Sequence, residues 1–290
     1  MTKIIQDLQE ARILLNEDPV KTEGGLSSGN AGESSNFLCY RALRLNYYAV
    51  TGLLARVCLY AGQRENAFNY STEVIKASNN GIFPFVDRSL VNGTAQDPDR
   101  IFSPEVLFAL SDSQRGELFE EYFDPSLAPN MVFRMETDLL EQTIYGGTGI
   151  GGNLDDYRCR SNWISSGSAR YFYKYSDMTE SGRIENTMIP LLRLGEMYLI
   201  AAESQSNSLA NGVSYINTLR KNRGVSNLQT LTTTLLQYEY IREVYGEGQL
   251  FFMYKRMYSS IIRSNSATNN PAPSNAVFVV PLPDTETENR

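Results

Sequence analysis

The sequence predicts a mostly α-helical protein in which a scaffold of paired helices carries a long irregular insertion. Apolar residues recur at helical spacing toward both ends of the 290-residue chain. Glycine turns divide these helical stretches into neighbouring pairs. The region between the pairs, about residues 80–187, shows short strand, loop and turn signals instead. An irregular segment of this length is the usual location of a binding surface.

The first predicted helix covers about residues 1–16. Its apolar side chains at helical spacing are Ile4, Ile5, Leu8, Ile13 and Leu14. Asn16, Asp18 and Pro19 follow, and residues of these types commonly end a helix. The segment lacks the charged and then apolar pattern of a secretory signal, so we interpret it as an amphipathic helix.

The next two predicted helices, about 42–62 and 64–79, form an antiparallel pair joined at Gly62. The apolar positions of the first helix are Ala49, Leu53, Val57 and Ala61, beside Val50, Leu54 and Cys58. The segment LLARVCLYAGQRENAFNYSTEVI resembles a tetratricopeptide unit in its order of small and large residues. We therefore predict a tetratricopeptide-like helical-repeat scaffold, with an ordinary helical hairpin as the alternative.

Three more helices are predicted at about 190–206, 208–223 and 234–260. Apolar faces mark each of them, and Gly224 ends the second. All of residues 1–290 are expected to form one compact unit rather than two domains.

Composition excludes several kinds of chemistry. The chain has no histidine, which removes imidazole catalysis and His-based zinc sites. Cys39, Cys58 and Cys159 are too few for a four-thiolate metal site, and Cys58 is expected to be a buried free thiol. The net charge of −7 disfavours nucleic acid as a partner. We therefore predict no metal site and no nucleic-acid binding, and any catalysis would have to use carboxylates, lysine, tyrosine or a bound cofactor.

A glycine-rich segment and two carboxylate pairs are the remaining candidate motifs. Gly147, Gly149 and Gly152 match the spacing of a dinucleotide-binding loop, but no apolar helix pattern follows, and we expect a flexible loop. The pairs Glu120/Glu121 and Asp155/Asp156 offer the two carboxylates that glycoside hydrolysis needs. Adjacent residues seldom point at one substrate, so solvated side chains are the favoured interpretation.

Four segments of the chain carry recognisable motifs: RLNYYAVTGLLARVCLYAGQRENAFNYSTEVI at 44–75, IPLLRLGEMYLIAAES at 189–204, REVYGEGQLFFMYKR at 242–256 and VFVVPLP at 277–283. Together they resemble the SusD/RagB family of outer-membrane nutrient-binding lipoproteins. The second matches the family pattern at Pro190, Arg193, Glu196, Ala202 and Glu203. The third matches it at Arg242, Glu243, Glu247, Gly248, Phe251, Phe252, Lys255 and Arg256, and the fourth at Pro281 and Pro283.

The resemblance implies a non-catalytic protein with a SusD-like helical fold, without catalytic residues and without a cofactor. Such a protein captures oligosaccharides, or in some members peptides, for a TonB-dependent SusC-like transporter at the cell surface. Family members are commonly longer and begin with a lipoprotein signal and a lipid-bearing cysteine. Neither feature is visible in this sequence, so we expect the signal and anchor region to be lacking here.

The charged residues of these segments are interpreted as determinants of the fold. Arg193 and Glu196 stand one helical turn apart, in position for a local ion pair or for salt bridges to another helix. Arg242, Glu243 and Glu247 share a predicted helix with Phe251 and Phe252. We expect the two phenylalanines to anchor that helix in the core while the charges reach neighbouring elements.

The predicted ligand-binding residues lie in the segment LDDYRCRSNWISSGSARYFYKY. They are Trp163, Asn162, Tyr157, Arg158, Tyr171 and Tyr173. Aromatic rings stack on the apolar faces of sugars while amide and charged groups bond the hydroxyls. Tyr171 and Tyr173 are expected on one face of a strand. A core position for Trp163 and a structural turn at residues 156–158 remain the alternatives.

Two other functions stay open. One is a glycoside hydrolase that uses the carboxylate pairs, and the other is a helical-repeat adaptor that binds only protein.

Overall fold

Helices supply most of the regular structure in the computed structural model, which describes residues 1–28, 36–92, 95–147, 149–180, 182–205, 208–262 and 270–283. The α-helices are α1 (Thr2–Leu14), α2 (Val20–Glu23), α3 (Tyr47–Tyr60), α4 (Arg64–Asn79), α5 (Arg115–Tyr122), α6 (Tyr157–Asn162), α7 (Leu194–Glu203), α8 (Val213–Lys221), α9 (Thr233–Val244), α10 (Leu250–Met257) and α11 (Asn275–Phe278). Within these ranges, none of the helices combines the length and apolarity needed to span a lipid bilayer.

Shorter helical turns connect these elements. Single 3-10 turns occur at Asn36–Leu38, Arg41–Leu43, Arg88–Leu90, Ser103–Glu105, Ile184–Thr187 and Leu209–Gly212. The segment Leu139–Tyr145 is a π-helix. The prediction of a mostly helical scaffold is confirmed.

Within the described ranges, two small antiparallel sheets lie largely in the region predicted to be irregular. The strands are β1 (Val106–Ser111), β2 (Arg134–Glu136), β3 (Trp163–Ser166), β4 (Ala169–Phe172) and β5 (Met188–Arg193). β1 pairs with β5, and the second sheet has the order β2-β4-β3. Residues 80–187 therefore carry short strands and helices between long loops, as their mixed signals predicted.

Helices α3 and α4 form the predicted antiparallel pair. The Asn46 side chain caps α3 by accepting a 2.9 Å hydrogen bond from the Ala49 amide. Gly62 adopts φ +75° in the turn, a conformation that suits glycine, and α4 then has the predicted bounds 64–79. Val50, Leu54 and Cys58 form the buried row of α3. Cys58 is a buried free thiol, as predicted.

The predicted start of the helix at 190–206 is wrong. Residues up to Arg193 belong to β5, and α7 begins only at Leu194. Pro190 lies opposite Ala109 in a sheet of two strands, where a missing amide N–H is tolerated. All ten residues of α7 are buried. A segment buried on every side shows no clear period, so its pattern did not separate the strand from the helix.

The predicted helix at 234–260 is two helices. Gly246 and Gly248, between α9 and α10, have φ of +74° and +73° and end the first helix. The helices predicted at 42–62 and 208–223 each begin with a separate 3-10 turn before α3 and α8. The helix predicted at 1–16 ends at Leu14.

The expected role of Phe251 and Phe252 as core anchors is also wrong. These side chains are 36% and 48% exposed, because α10 turns Met253 and Tyr254 toward the interior instead. The largest hydrophobic core includes residues from Ile5 to Phe278. That all of residues 1–290 form one unit stays a prediction.

A connected network of buried ion pairs joins β5, α6, α8 and α9. Among the described residues, its cations are Lys174, Arg158, Arg193, Arg220, Arg223 and Arg242, and its carboxylates are Glu105, Asp156, Glu239, Glu243 and Glu247. Each of these side chains is at most 5% exposed. This burial and pairing support the interpretation of Arg193, Arg242, Glu243 and Glu247 as structural residues, and their effect on stability stays a prediction.

Glu196 does not pair with Arg193. It accepts hydrogen bonds of 2.7 and 2.6 Å from Arg56 on α3, while Arg193 bonds Glu243 and Glu247. Of the two arrangements that the spacing allowed, the structure therefore has the one between elements, which ties α7 to α3 and β5 to α9.

The network holds one more cation than carboxylates, and Lys174 is the member that can lose its charge. Burial and the neighbouring Arg193 lower its pKa to about 8, against the attraction of Glu247 and Glu243. In the unfolded chain the ordinary value is 10.5. Between these values the unfolded state binds more protons than the folded state, so stability due to Lys174 rises with pH.

We expect the free energy of unfolding of the wild type, relative to Lys174→Met, to rise by about 1 kcal/mol or more per pH unit between pH 8 and 10. Urea denaturation of both proteins at a series of pH values measures this difference in the free energy of unfolding. The difference is taken because the buried Cys159 thiol, whose pKa is raised to about 12, destabilises both proteins above pH 9. Lys76→Met, at an exposed position of α4, is the matched control. A wild type that parallels Lys174→Met across this range would contradict the expectation.

Candidate functional site

The structure places the six predicted ligand-binding residues mostly in the interior. Trp163 is 4% exposed. Tyr157, Arg158, Asn162 and Tyr171 are buried as well, and Tyr173 is half-buried. Tyr171 lies in β4, whereas Tyr173 follows the end of that strand. Their role as ligand contacts stays a prediction, and Tyr173 is the member whose ring retains appreciable exposure.

These side chains have clear structural partners. The Trp163 ring packs against Phe172 and Tyr245, with centroids 5.0 and 5.1 Å apart. Asp156 caps α6 through the Arg158 amide and also bonds the Arg158 guanidinium at 2.6 and 2.9 Å. The alternatives of a core Trp163 and a structural turn at residues 156–158 therefore describe this arrangement.

An open groove is formed where the π-helix and the following loop meet α9. We name it the polar groove. Its volume is about 610 Å³, and its lining residues are Glu141, Gln142, Thr143, Gly146, Gly147, Ile150, Leu154 and Tyr238. Most of them come from the region that the sequence predicted to be irregular and ligand-binding.

The core fixes the wall of the polar groove from behind. Ile144 and Tyr145 of the π-helix are buried, which turns Gln142 and Thr143 outward. Arg242 donates hydrogen bonds of 2.8 and 2.9 Å to the carbonyls of Ile144 and Ile150. Because Arg242 belongs to the buried ion network, the same charges that hold the fold also hold this loop.

Close backbone packing explains the glycine-rich segment. A Cβ atom at Gly146 would collide with the Glu141 carbonyl, and one at Gly152 would collide with the Tyr145 carbonyl. The helix that follows is α6, and the Asp156 carboxylate already occupies its N-terminal end. A phosphate group is repelled from such an end, so the segment shapes a groove wall rather than a nucleotide site.

Three polar side chains of the groove are available to a ligand. Gln142, Thr143 and the hydroxyl of Tyr238 have no hydrogen-bond partner in the part of the chain that the structure describes. Glu141 is held by a 3.0 Å hydrogen bond from Arg170 on β4. Partial burial raises the pKa of Tyr238, so its hydroxyl stays protonated and can donate. An amide, two hydroxyls and an aromatic ring suit a ligand rich in hydroxyl groups.

The carboxylate pairs do not converge on a common point. Asp155 is exposed and forms a 2.5 Å ion pair with Arg160, whereas both oxygens of buried Asp156 bond Arg158. Glu120 and Glu121 are exposed on α5. Across the described ranges, no cluster of three or more Cys, Asp or Glu side chains forms a metal-binding site.

Sequence reasoning missed the residues of the polar groove. Tyr238 is about a hundred positions from Gln142 in the chain, and no short-range pattern joins them. The available signal was the glycine-rich segment, which marks a backbone shaped by close packing immediately after the π-helix.

Comparisons with known proteins agree on one family. The SusD family model matches residues 120–277, which is more than half of the chain. A putative sugar binding protein from Bacteroides vulgatus superposes with a TM-score of 0.64 at 21% identity, covering 99% of this chain and 62% of that structure. A SusD-like carbohydrate binding protein from the same species gives 0.63 at 18% identity, covering 98% and 63%.

A third structure, a laminarin binding SusD-like protein, gives a TM-score of 0.52 at 16% identity and covers 88% of this chain and 60% of its own. At these identities the structures establish the shared fold. The chain spans less than two thirds of the length of each of the three. No curated protein matches the sequence.

Proposed function

Because the chain belongs to the SusD family, we propose that it binds glycans at the polar groove and releases them chemically unchanged. One observation carries the choice of site. Gln142, Thr143 and Tyr238 bring to one open groove an aromatic ring and hydrogen-bonding groups that have no partner among the described residues. Sugars present apolar C–H faces and many hydroxyls, so a shallow site of this composition suits them.

The polar groove also suggests which glycans fit. Its charged lining residue is Glu141, whose carboxylate is paired with Arg170. No cation is among the described lining residues, so nothing in the lining offsets the charge of an acidic sugar. A panel of neutral glycans is the first choice, and the name of the laminarin binding neighbour makes laminarin its first member.

Tyr238→Ala is expected to weaken glycan binding about tenfold or more. The change removes an aromatic platform and a hydroxyl, and together these contribute on the order of 1–2 kcal/mol. Isothermal titration calorimetry with each glycan of the panel measures the affinity, which we expect between micromolar and millimolar for the wild type. Tyr238→Phe removes only the hydroxyl, so it separates the contribution of the hydroxyl to binding from that of the ring.

Tyr122→Ala is the matched control, because Tyr122 is a 49% exposed tyrosine on α5 outside the polar groove. Its affinity should equal that of the wild type. If Tyr238→Ala and Tyr122→Ala bind equally well, the polar groove is not the site.

Delivery to a TonB-dependent SusC-like transporter and attachment to the cell surface as a lipoprotein are the further parts of this proposal, and family membership supports them. Co-purification of the chain with a barrel transporter encoded beside it would test the delivery. A purified protein that captures the transporter but no glycan or peptide would favour the adaptor function instead.

The hydrolase alternative has little support in the geometry. Asp155 and Asp156 are engaged by different arginines and do not face one substrate position. Incubation with the bound glycan should therefore release no reducing ends. Release that disappears in Asp155→Asn would overturn the non-catalytic assignment.

A further inference from the structure

A second groove lies beside the turn between α3 and α4 and shares no lining residue with the polar groove. Its volume is about 500 Å³. We name it the arginine groove, and its polar part is formed by Tyr60, Arg64, Glu203, Thr233 and Arg256.

Positive charge in the arginine groove exceeds negative charge. Arg64 is exposed and has no ionic or hydrogen-bonding side-chain partner among the described residues. The Arg256 side chain is 14% exposed and pairs with Glu203. Glu203 is the one carboxylate in the described lining, and its other oxygen accepts a 2.9 Å hydrogen bond from Tyr240. The described lining of the groove therefore holds two guanidinium groups and one carboxylate, and that carboxylate is paired with Arg256.

The end of α4 adds to this positive potential. Arg64 is the first residue of this sixteen-residue helix, and the preceding Gln63 provides no side-chain cap. A helix N-terminus carries partial positive charge, so a cation there is unfavourable unless an anion is nearby. The acidic residue of this first turn is Glu65, which is not among the described lining residues of the groove, whereas the exposed Arg64 is one of them.

Burial is the main reason why the pKa of Arg256 is lowered to about 10. The charge of Arg64 acts in the same direction, and Tyr60 and Glu196 act in the opposite direction. A further anion in the groove would stabilise both guanidinium groups.

We propose that the arginine groove is a second binding site, which takes the carboxylate group of a small acidic ligand. Arg64 supplies a planar fork of N–H donors that matches a carboxylate in two parallel hydrogen bonds. Thr233 lines the same groove, and its hydroxyl can donate a further hydrogen bond to a carboxylate. A sugar acid and the terminal carboxylate of an amino acid carry the same recognised group.

Nuclear magnetic resonance titration of the whole chain tests the site with two probes, D-glucuronate and N-acetylglycine. D-glucose and N-acetylglycine amide are their uncharged counterparts. We expect millimolar binding of at least one acid, with shifts centred on the amides of residues 62–66, and at least tenfold weaker binding of its counterpart. The stronger acid identifies the source of the carboxylate. Raising the salt concentration should weaken the binding.

Arg64→Gln should lower the affinity for the acid at least fivefold. Lys76→Gln removes the same charge from the other end of α4 and should leave the affinity unchanged. Equal binding of acid and counterpart, no binding of either acid, or an unchanged affinity in Arg64→Gln would overturn the proposal. These outcomes are independent of the polar groove, whose neutral glycans are titrated separately.

Discussion

Replacing Glu243 by glutamine should destabilise the protein by about 3–5 kcal/mol, because it leaves buried guanidinium groups without their shared carboxylate. Glu243 is fully buried and bonds three arginines: Arg223 at 2.8 and 3.0 Å, Arg193 at 2.9 Å and Arg158 at 3.1 Å. The variant keeps the size of the side chain and changes its charge. Urea denaturation at pH 7 measures the loss.

The same carboxylate should make the protein sensitive to acid. Burial alone would raise the pKa of Glu243, but the cations Arg223 and Arg193 hold it well below its ordinary value of 4.5. A carboxylate with a lowered pKa stabilises the folded state above that ordinary value, and this contribution is lost as pH falls below it. Glu65→Gln, on the exposed surface of α4, should change neither the free energy of unfolding at pH 7 nor its decrease at acid pH. A loss below about 1 kcal/mol in Glu243→Gln would show that the network is not a determinant of the fold.

Trp163→Ala is expected to cost about 3–5 kcal/mol of stability, since it removes a large buried ring and leaves a cavity. The ring packs against both Phe172 of β4 and Tyr245, which follows α9, so its loss removes contacts between the three-stranded sheet and the helical part. Thermal and urea denaturation measure the effect. Trp163→Phe, which keeps an aromatic ring in the same place, should cost clearly less.

Trp163 also allows the two interpretations of its role to be separated. If the ring only supports the fold, Trp163→Phe should bind glycan with the affinity of the wild type. If the ring contacts glycan, as the sequence predicted, this variant should lose affinity while remaining well folded. A stability loss under about 1 kcal/mol in Trp163→Ala would contradict its position in the core.

Much of the helical scaffold follows from local sequence. The bounds of α4 and the turn at Gly62 are determined by a clear apolar stripe and a glycine that suits a left-handed turn. The strand β5 and helix α7 form one continuous apolar run, so no period distinguishes them. Phe251 and Phe252 look like core residues in sequence, and only the orientation of α10 exposes them.

The candidate site was less accessible to sequence reasoning. Aromatic residues near Trp163 are dense in the chain, and this density reflects a cluster that packs on itself. The polar groove instead forms because Gln142 and Tyr238 line the same space and because Arg242 donates a hydrogen bond to the Ile144 carbonyl. Contacts between segments so far apart in the chain leave no local pattern.

A crystal structure of the chain with the tightest-binding glycan of the panel tests the central claim most directly. We predict a sugar ring lying on Tyr238, with its hydroxyls within hydrogen-bond distance of Gln142 and Thr143 and its glycosidic bonds intact. A glycan bound elsewhere on the surface, or one whose bonds have been cleaved, would contradict the account.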